Sequence, residues 1–191
     1  MGSGKVNMQK RIVTGLLILW AALLIVFGLV RSGVITSRKV VVYFFQNTKD
    51  GSLSLVSTSR QISAVIAMDI SEKIKFAMSQ LIEGPEQEEI DQGYISCVPS
   101  EARVIDVRIQ DKIIYVDFSK EIESGGGISE IKGRLAQMVF TATQFDPEAG
   151  VRILIEGKEI KSFSGEGITD VEKPMYRNDF SFFLQGESNE R

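Results

Sequence analysis

The hydrophobic pattern of this chain begins with one uninterrupted apolar run. Residues 12–30 (IVTGLLILWAALLIVFGLV) carry no charge, and as a helix they would rise about 28 Å, close to the roughly 30 Å hydrocarbon thickness of a bilayer. The pattern predicts a transmembrane helix over 12–31. A short basic, cytoplasmic N-terminus (1–11) precedes it. A linker (32–39), a folded domain (40–183) and a disordered tail (184–191) follow. The run is longer than the core of a cleaved signal, roughly 7–15 residues. No cysteine follows it for lipidation, since the only one is Cys97. Lys5, Lys10 and Arg11 precede the span, and Arg31, Arg38 and Lys39 follow it. The positive-inside rule therefore does not set the orientation, and the shortness of the N-terminus favours an exported domain at the bacterial cell membrane.

Beyond residue 40 the pattern changes to alternation and helical stripes. Residues 40–45 (VVYFF among them) are β-branched and aromatic and predict a strand, and Leu53, Leu55 and Val56 predict a second after an Asp50-Gly51 turn. Asp69 and Glu72 have capping-box spacing ahead of a stripe of Ile70, Ile74, Met78 and Leu81, and Gly84-Pro85 ends that helix. Residues 86–93 (EQEEIDQG) read as a flexible acidic connection. Two strands follow, 103–109 and 112–119, with Gln110-Asp111 at hairpin spacing. Ile105, Val107 and Ile109 are expected on one apolar face, and Ile114, Val116 and Phe118 on another. Gly125-Gly126-Gly127 introduces a second helix, 129–143, with Ile131, Leu135, Met138, Val139 and Ala142 as its stripe. A strand at 151–155, a Gly157-Lys158 turn and a short return strand at 160–163 complete the pattern. The order ββαββαββ predicts an α+β fold: an open mixed β-sheet with two helices packed on one face. The stretches 69–118 and 129–163 share an αββ order, as an internal duplication would.

Charge narrows the function. Six of the 22 bases lie before residue 40 and all 25 acids after it, so the domain carries a net charge of −9. That balance argues against nucleic acid or an anionic surface as partner. With no histidine and one cysteine, His-containing zinc sites, Ser-His-Asp triads, internal disulfides and CxxC redox pairs are all excluded. No cofactor or metal set is legible. The triple glycine lacks the Gly-Lys-Ser/Thr ending of a phosphate loop, with Ile128-Ser129-Glu130 in its place. Asp106 and Asp117, on neighbouring strands, are a candidate carboxylate pair. Their alternation positions place them in solvent, with Arg103 and Arg108 as cross-strand neutralisers. Cys97 has no basic activator nearby and reads as packing. Arg60, Arg134 and Arg177 stand out because arginine beside aromatics is an interface composition. Arg134, Tyr176, Arg177 and Phe180 are the candidate interface residues, with Arg177 tying the tail to the domain through a carboxylate as the equal alternative. Met175, Tyr176, Phe180, Phe182 and Phe183 form an apolar density in the tail that either covers the domain's own core or awaits a partner.

Several segments together resemble one family. AMSQLIEGP (77–85), SCVPSEARVIDVRIQDKIIYVDFS (96–119), GGISEIKGRLAQMVFTATQF (126–145), VRILIEGKEI (151–160) and GITDVEKPMYRNDF (167–180) occur in the order expected of a GerMN domain, a sporulation and spore-germination domain. The resemblance covers residues 40–180. It implies a non-enzymatic extracytoplasmic α+β domain akin to ring-building modules of secretion and sporulation channels, with no catalytic residues to carry over. It also implies an assembly role in the bacterial envelope, with envelope proteins or further copies of the chain as partners. A domain binding glycan or peptidoglycan is the alternative. The family's namesake carries paired copies and a lipidated cysteine, whereas this sequence has one copy and an apolar span.

Overall fold

The computed structural model describes residues 15–16, 19–20, 39–47, 53–62, 68–163 and 169–184. The chain divides into two units, residues 1–38 with 64–67, and residues 39–63 with 68–191. In the first unit Gly15, Leu16, Leu19 and Trp20 are helical and exposed. The rest of the expected span, the N-terminal segment, the linker up to residue 38 and the tail from 185 lie outside the described residues. Among the described residues no helix is long and apolar enough to cross a membrane.

The second unit holds two sheets rather than one. Strands β1 (Lys39–Asn47) and β2 (Leu53–Gln61) pair antiparallel along their whole length. The short β3 (Tyr94–Ile95) adds to the far end of β1, giving the order β2-β1-β3. The expected Asp50-Gly51 turn lies outside the described residues. Strands β4 (Val104–Gln110), β5 (Ile113–Phe118), β6 (Gly150–Ile155) and β7 (Lys158–Glu159) form the second sheet in chain order, antiparallel except for the parallel β5–β6 pair. Helices α1 (Ile70–Glu83) and α3 (Ile128–Ala142) pack on each other, and each touches both sheets. The open sheet with both helices on one face is thereby corrected. Eleven of the 15 residues of α3 are buried, which a helix lying on one face of one sheet would not achieve.

Local signals explain most elements. Asp69 accepts the N–H of Glu72 at 2.8 Å, and the Glu72 carboxylate accepts the N–H of Asp69 at 3.0 Å, so the capping box forms. Gly84 ends the helix at φ 88°, a value L side chains rarely adopt. In the α1 stripe Ile74, Met78 and Leu81 are buried, but Ile70 is 51% exposed. The expected faces of the hairpin fare differently. Ile114, Val116 and Phe118 are all buried, whereas of Ile105, Val107 and Ile109 only Val107 is. A register shift between Val104 and Asp106 breaks the alternation of β4, as a bulge does. The turn is Asp111-Lys112, both at positive φ (51° and 61°), one residue later than expected. The return strand is Lys158–Glu159, not 160–163. No duplication survives: β4–β5 is a full hairpin, β7 has two residues, and a helix and a strand interrupt the first stretch.

A polar ridge on α3 decides how it docks. β3 pairs only with Phe45 and Gln46, leaving the backbone of Val41 and Tyr43 unpaired on that side. Gln144 accepts the N–H of Val41 at 2.7 Å and donates to its carbonyl at 3.1 Å. Thr141 accepts the N–H of Tyr43 at 3.1 Å, and Gln137 donates to the Tyr43 carbonyl at 3.2 Å. Gln137 further donates to Ile95 at 3.3 Å and accepts from the N–H of Cys97 at 2.7 Å. The side chains of α3 and of the turn just after it thus stand where a neighbouring strand would, and they satisfy backbone groups that could not be buried unpaired.

The acidic stretch is not a flexible connection. Residues Gln87–Asp91 form helix α2, held by Arg60 from β2. Arg60 is 5% exposed and meets both Glu89 oxygens, at 2.7 and 2.5 Å, and Glu86 at 3.4 Å. Thr58 donates to the same Glu89 carboxylate at 2.6 Å. The Arg60 guanidinium, helped by Thr58, holds the Glu89 carboxyl at about 2, below its ordinary 4.5. A depressed carboxyl stabilises the fold fully above its unfolded value, and that contribution disappears as pH falls through the folded value. Glu89→Gln is therefore expected to cost about 2 kcal/mol at neutral pH and to flatten the stability loss between pH 4.5 and 2. Urea denaturation across that range measures both. An unchanged acid limb would mean that Glu89 is not the group being titrated.

Candidate interaction surface

The strongest electrostatic feature faces inward. Arg134 is 1% exposed and fans out to four carbonyls: Nε to Cys97 at 2.8 Å, Nη1 to Ile122 at 2.6 Å, and Nη2 to Ser124 at 3.1 Å and Gly125 at 3.2 Å. Burial pushes its pKa down, partly offset by nearby Glu130, yet a guanidinium stays charged in proteins. The expectation of Arg134 at an interface is thereby corrected. Gly125 and Gly126, at φ 68° and 93°, let the loop curl around the guanidinium. Its carbonyls point at a cation, the polarity opposite to a phosphate cradle, whose N–H groups would point inward. Cys97 packs against the same cluster, and burial pushes its thiol up to about 11.

Asp106 and Asp117 stand directly opposite each other across β4 and β5. The Asp117 carboxylate accepts the N–H of Gly157 at 2.9 Å and so closes the β6–β7 turn. Arg108 does not neutralise the pair. Its guanidinium lies 4.5 Å from the ring centre of Tyr115. These groups line a cavity of about 190 Å³ on the outer face of the second sheet.

The C-terminal segment, residues 169–184, is a strap across the domain. Met175 exchanges both backbone hydrogen bonds with Val151, at 2.8 and 2.9 Å, and so extends the outer edge of β6. It lies so close that a Cβ on Gly150 would come within 2.9 Å of Pro174. Arg177 then pins the strap to α3. Its Nε donates to the Thr143 hydroxyl at 2.8 Å and its Nη2 to the Phe140 carbonyl at 3.2 Å, with the guanidinium over the rings of Phe140 and Tyr43. Phe180 is 7% exposed, and Phe183 meets Phe45 edge-on at 4.8 Å. Of the four expected interface residues, Arg134 and Phe180 are therefore interior. Arg177 is an anchor, and Tyr176 remains on the surface, 41% exposed.

Sequence reasoning placed Phe182 in an apolar cluster with Tyr176 but missed the cavity beside them. Phe182 and Leu184 are also exposed, and a cavity of about 490 Å³ opens between the strap and α3. Leu135, Val171, Met175 and Phe180 form its apolar wall, Tyr176 and Phe182 its rim, and Lys132 and Lys173 add positive charge. A helical-wheel reading of α3 would have placed Lys132 next to the stripe, but nothing in the sequence set the strap opposite it.

The family described as "Germane: Sporulation and spore germination" matches residues 41–161. The first GerMN domain of the sporulation protein GerM from Bacillus subtilis is 25% identical over 73% of this chain and 99% of its own, with a TM-score of 0.55. The tandem GerMN domains of the same protein give 20% identity over 73% of this chain and 44% of theirs, with a TM-score of 0.51. A protein from Clostridium perfringens, described as a candidate lipoprotein, is 19% identical over 74% of this chain and 88% of its own, also with a TM-score of 0.51. No curated protein matches the chain at sequence level. With more than half of its length matched, this chain belongs to the Germane family of sporulation and spore-germination domains.

Proposed function

We propose that the chain is a membrane-tethered, extracytoplasmic assembly module of the bacterial envelope, acting in sporulation or spore germination without catalysis of its own. The observation that carries this reading is the strap surface. Tyr176, Phe182 and Leu184 are exposed on a segment that Met175, Arg177, Phe180 and Phe183 hold in place. Apolar and aromatic groups presented on a pre-ordered segment suit protein contact, because little ordering entropy is lost on binding. The apolar run at residues 12–30 supports the tether.

The test is site-specific photocrosslinking of the full chain in its native cells. A benzophenone side chain at Tyr176 or Phe182 is expected to give discrete higher-mass adducts during sporulation. The same group at Glu101, exposed and not among the residues that line the strap cavity, is the control. Adducts equal at all three positions, or at none, would sink the assembly reading. Protease added to intact spheroplasts is expected to digest the domain, and full protection would reverse the orientation.

A further inference from the structure

We propose that the cavity between α3 and the strap is a docking socket for a partner's peptide segment that carries a large apolar side chain beside a carboxylate. This deepens the assembly reading and rests on it. Three observations converge on the socket. The cavity, about 490 Å³, lies in the roughly 300–1,000 Å³ range of ligand-binding clefts, large enough for more than one side chain. Its wall of Leu135, Val171, Met175 and Phe180 is apolar, while Tyr176 and Phe182 at the rim are 41% and 49% exposed. Exposed aromatics around an apolar pocket are the composition of interface anchors.

The third observation is charge. Lys132 and Lys173 both line the cavity and are exposed, and no hydrogen bond or ion pair is found for either among the described residues. They stand out in a domain of net charge −9. The one carboxylate in the lining, Asp179, already accepts the N–H of Tyr176 at 2.7 Å. Two ammonium groups beside an apolar wall, with no partner among the described residues, complement an acidic residue next to an apolar one. The domain's overall negative charge disfavours an anionic membrane as the source of that acid, and the assembly reading makes a protein's peptide segment the occupant.

The experiment is selection of a random heptapeptide phage library against the full chain in zwitterionic nanodiscs, in parallel with Lys132→Gln/Lys173→Gln. Both lysines are exposed, and equal melting temperatures confirm that the two proteins are folded alike. The native chain is expected to enrich Leu, Phe or Trp next to Asp or Glu. The double variant should keep the apolar enrichment, lose the acidic bias and bind the selected peptides roughly tenfold more weakly. Acidic bias that persists in the variant, enrichment without apolar residues, or no enrichment would overturn the socket. If the socket fails while the crosslinks at Tyr176 and Phe182 persist, only the socket falls. If those crosslinks are absent as well, the assembly reading falls with it.

Discussion

Arg134→Met is expected to lower the stability of the domain by about 4 kcal/mol or more. The substitution keeps much of the volume and removes the charge, but it leaves the carbonyls of Cys97, Ile122, Ser124 and Gly125 without their shared donor. Each orphaned buried polar group costs roughly 1–3 kcal/mol, and water reaching the loop side recovers part of the sum. Arg134→Lys is expected to recover only a small part, because an ammonium is a single point and cannot span acceptors on three segments. Chemical denaturation followed by circular dichroism measures both variants. A loss under about 1 kcal/mol for the methionine variant would mean that the glycine loop relaxes outward and hydrates its own carbonyls.

Gln137→Leu should be the second most damaging change, at about 3 kcal/mol. Gln137 is fully buried, and the leucine would leave the N–H of Cys97 and the carbonyls of Tyr43 and Ile95 unpaired. Gln137→Glu separates the hydrogen bonds from the packing. A carboxylate could still accept from Cys97 but could donate nothing to Tyr43 or Ile95, so it should be no better than leucine at neutral pH. Amide hydrogen exchange at Cys97 adds a local readout. Protection there that survives in the leucine variant would contradict the role given to Gln137.

These two residues also mark where the sequence stops being legible. Elements set by local chemistry were readable: the α1 capping box, the Gly84-Pro85 stop, the apolar face of β5 and the stripe of α3 all depend on neighbours a few residues away. The contacts that decide the architecture are not local. The order of strands does not reveal which strands pair, so the six expected strands read as one sheet instead of two. Residues 86–93 read as flexible because Arg60, which orders them, is 29 positions away from Glu89. Arg134 read as an interface residue because its partners are backbone carbonyls, and these leave no trace in side-chain identity. Ile105 was misplaced by the register shift just after Val104, whereas Ile109 keeps the parity of buried Val107 but lies beside the hairpin turn and is exposed. For the strap, the apolar density of residues 175–183 was visible. Which of those side chains turn inward was settled only by the pairing of Met175 with Val151.

The docking of α3 on β1 also orders events in time. The groups that complete the edge of β1 come from Gln137, Thr141 and Gln144, 94 to 103 positions further along the chain. A chain made from its N-terminus presents the β1–β2 hairpin first, with the backbone of Val41 and Tyr43 still open to any passing strand. Contacts so distant in sequence close slowly, and an open edge is where misassembly begins. The interval until residue 144 arrives is therefore the period in which this domain most needs a chaperone or a crowd-free surface.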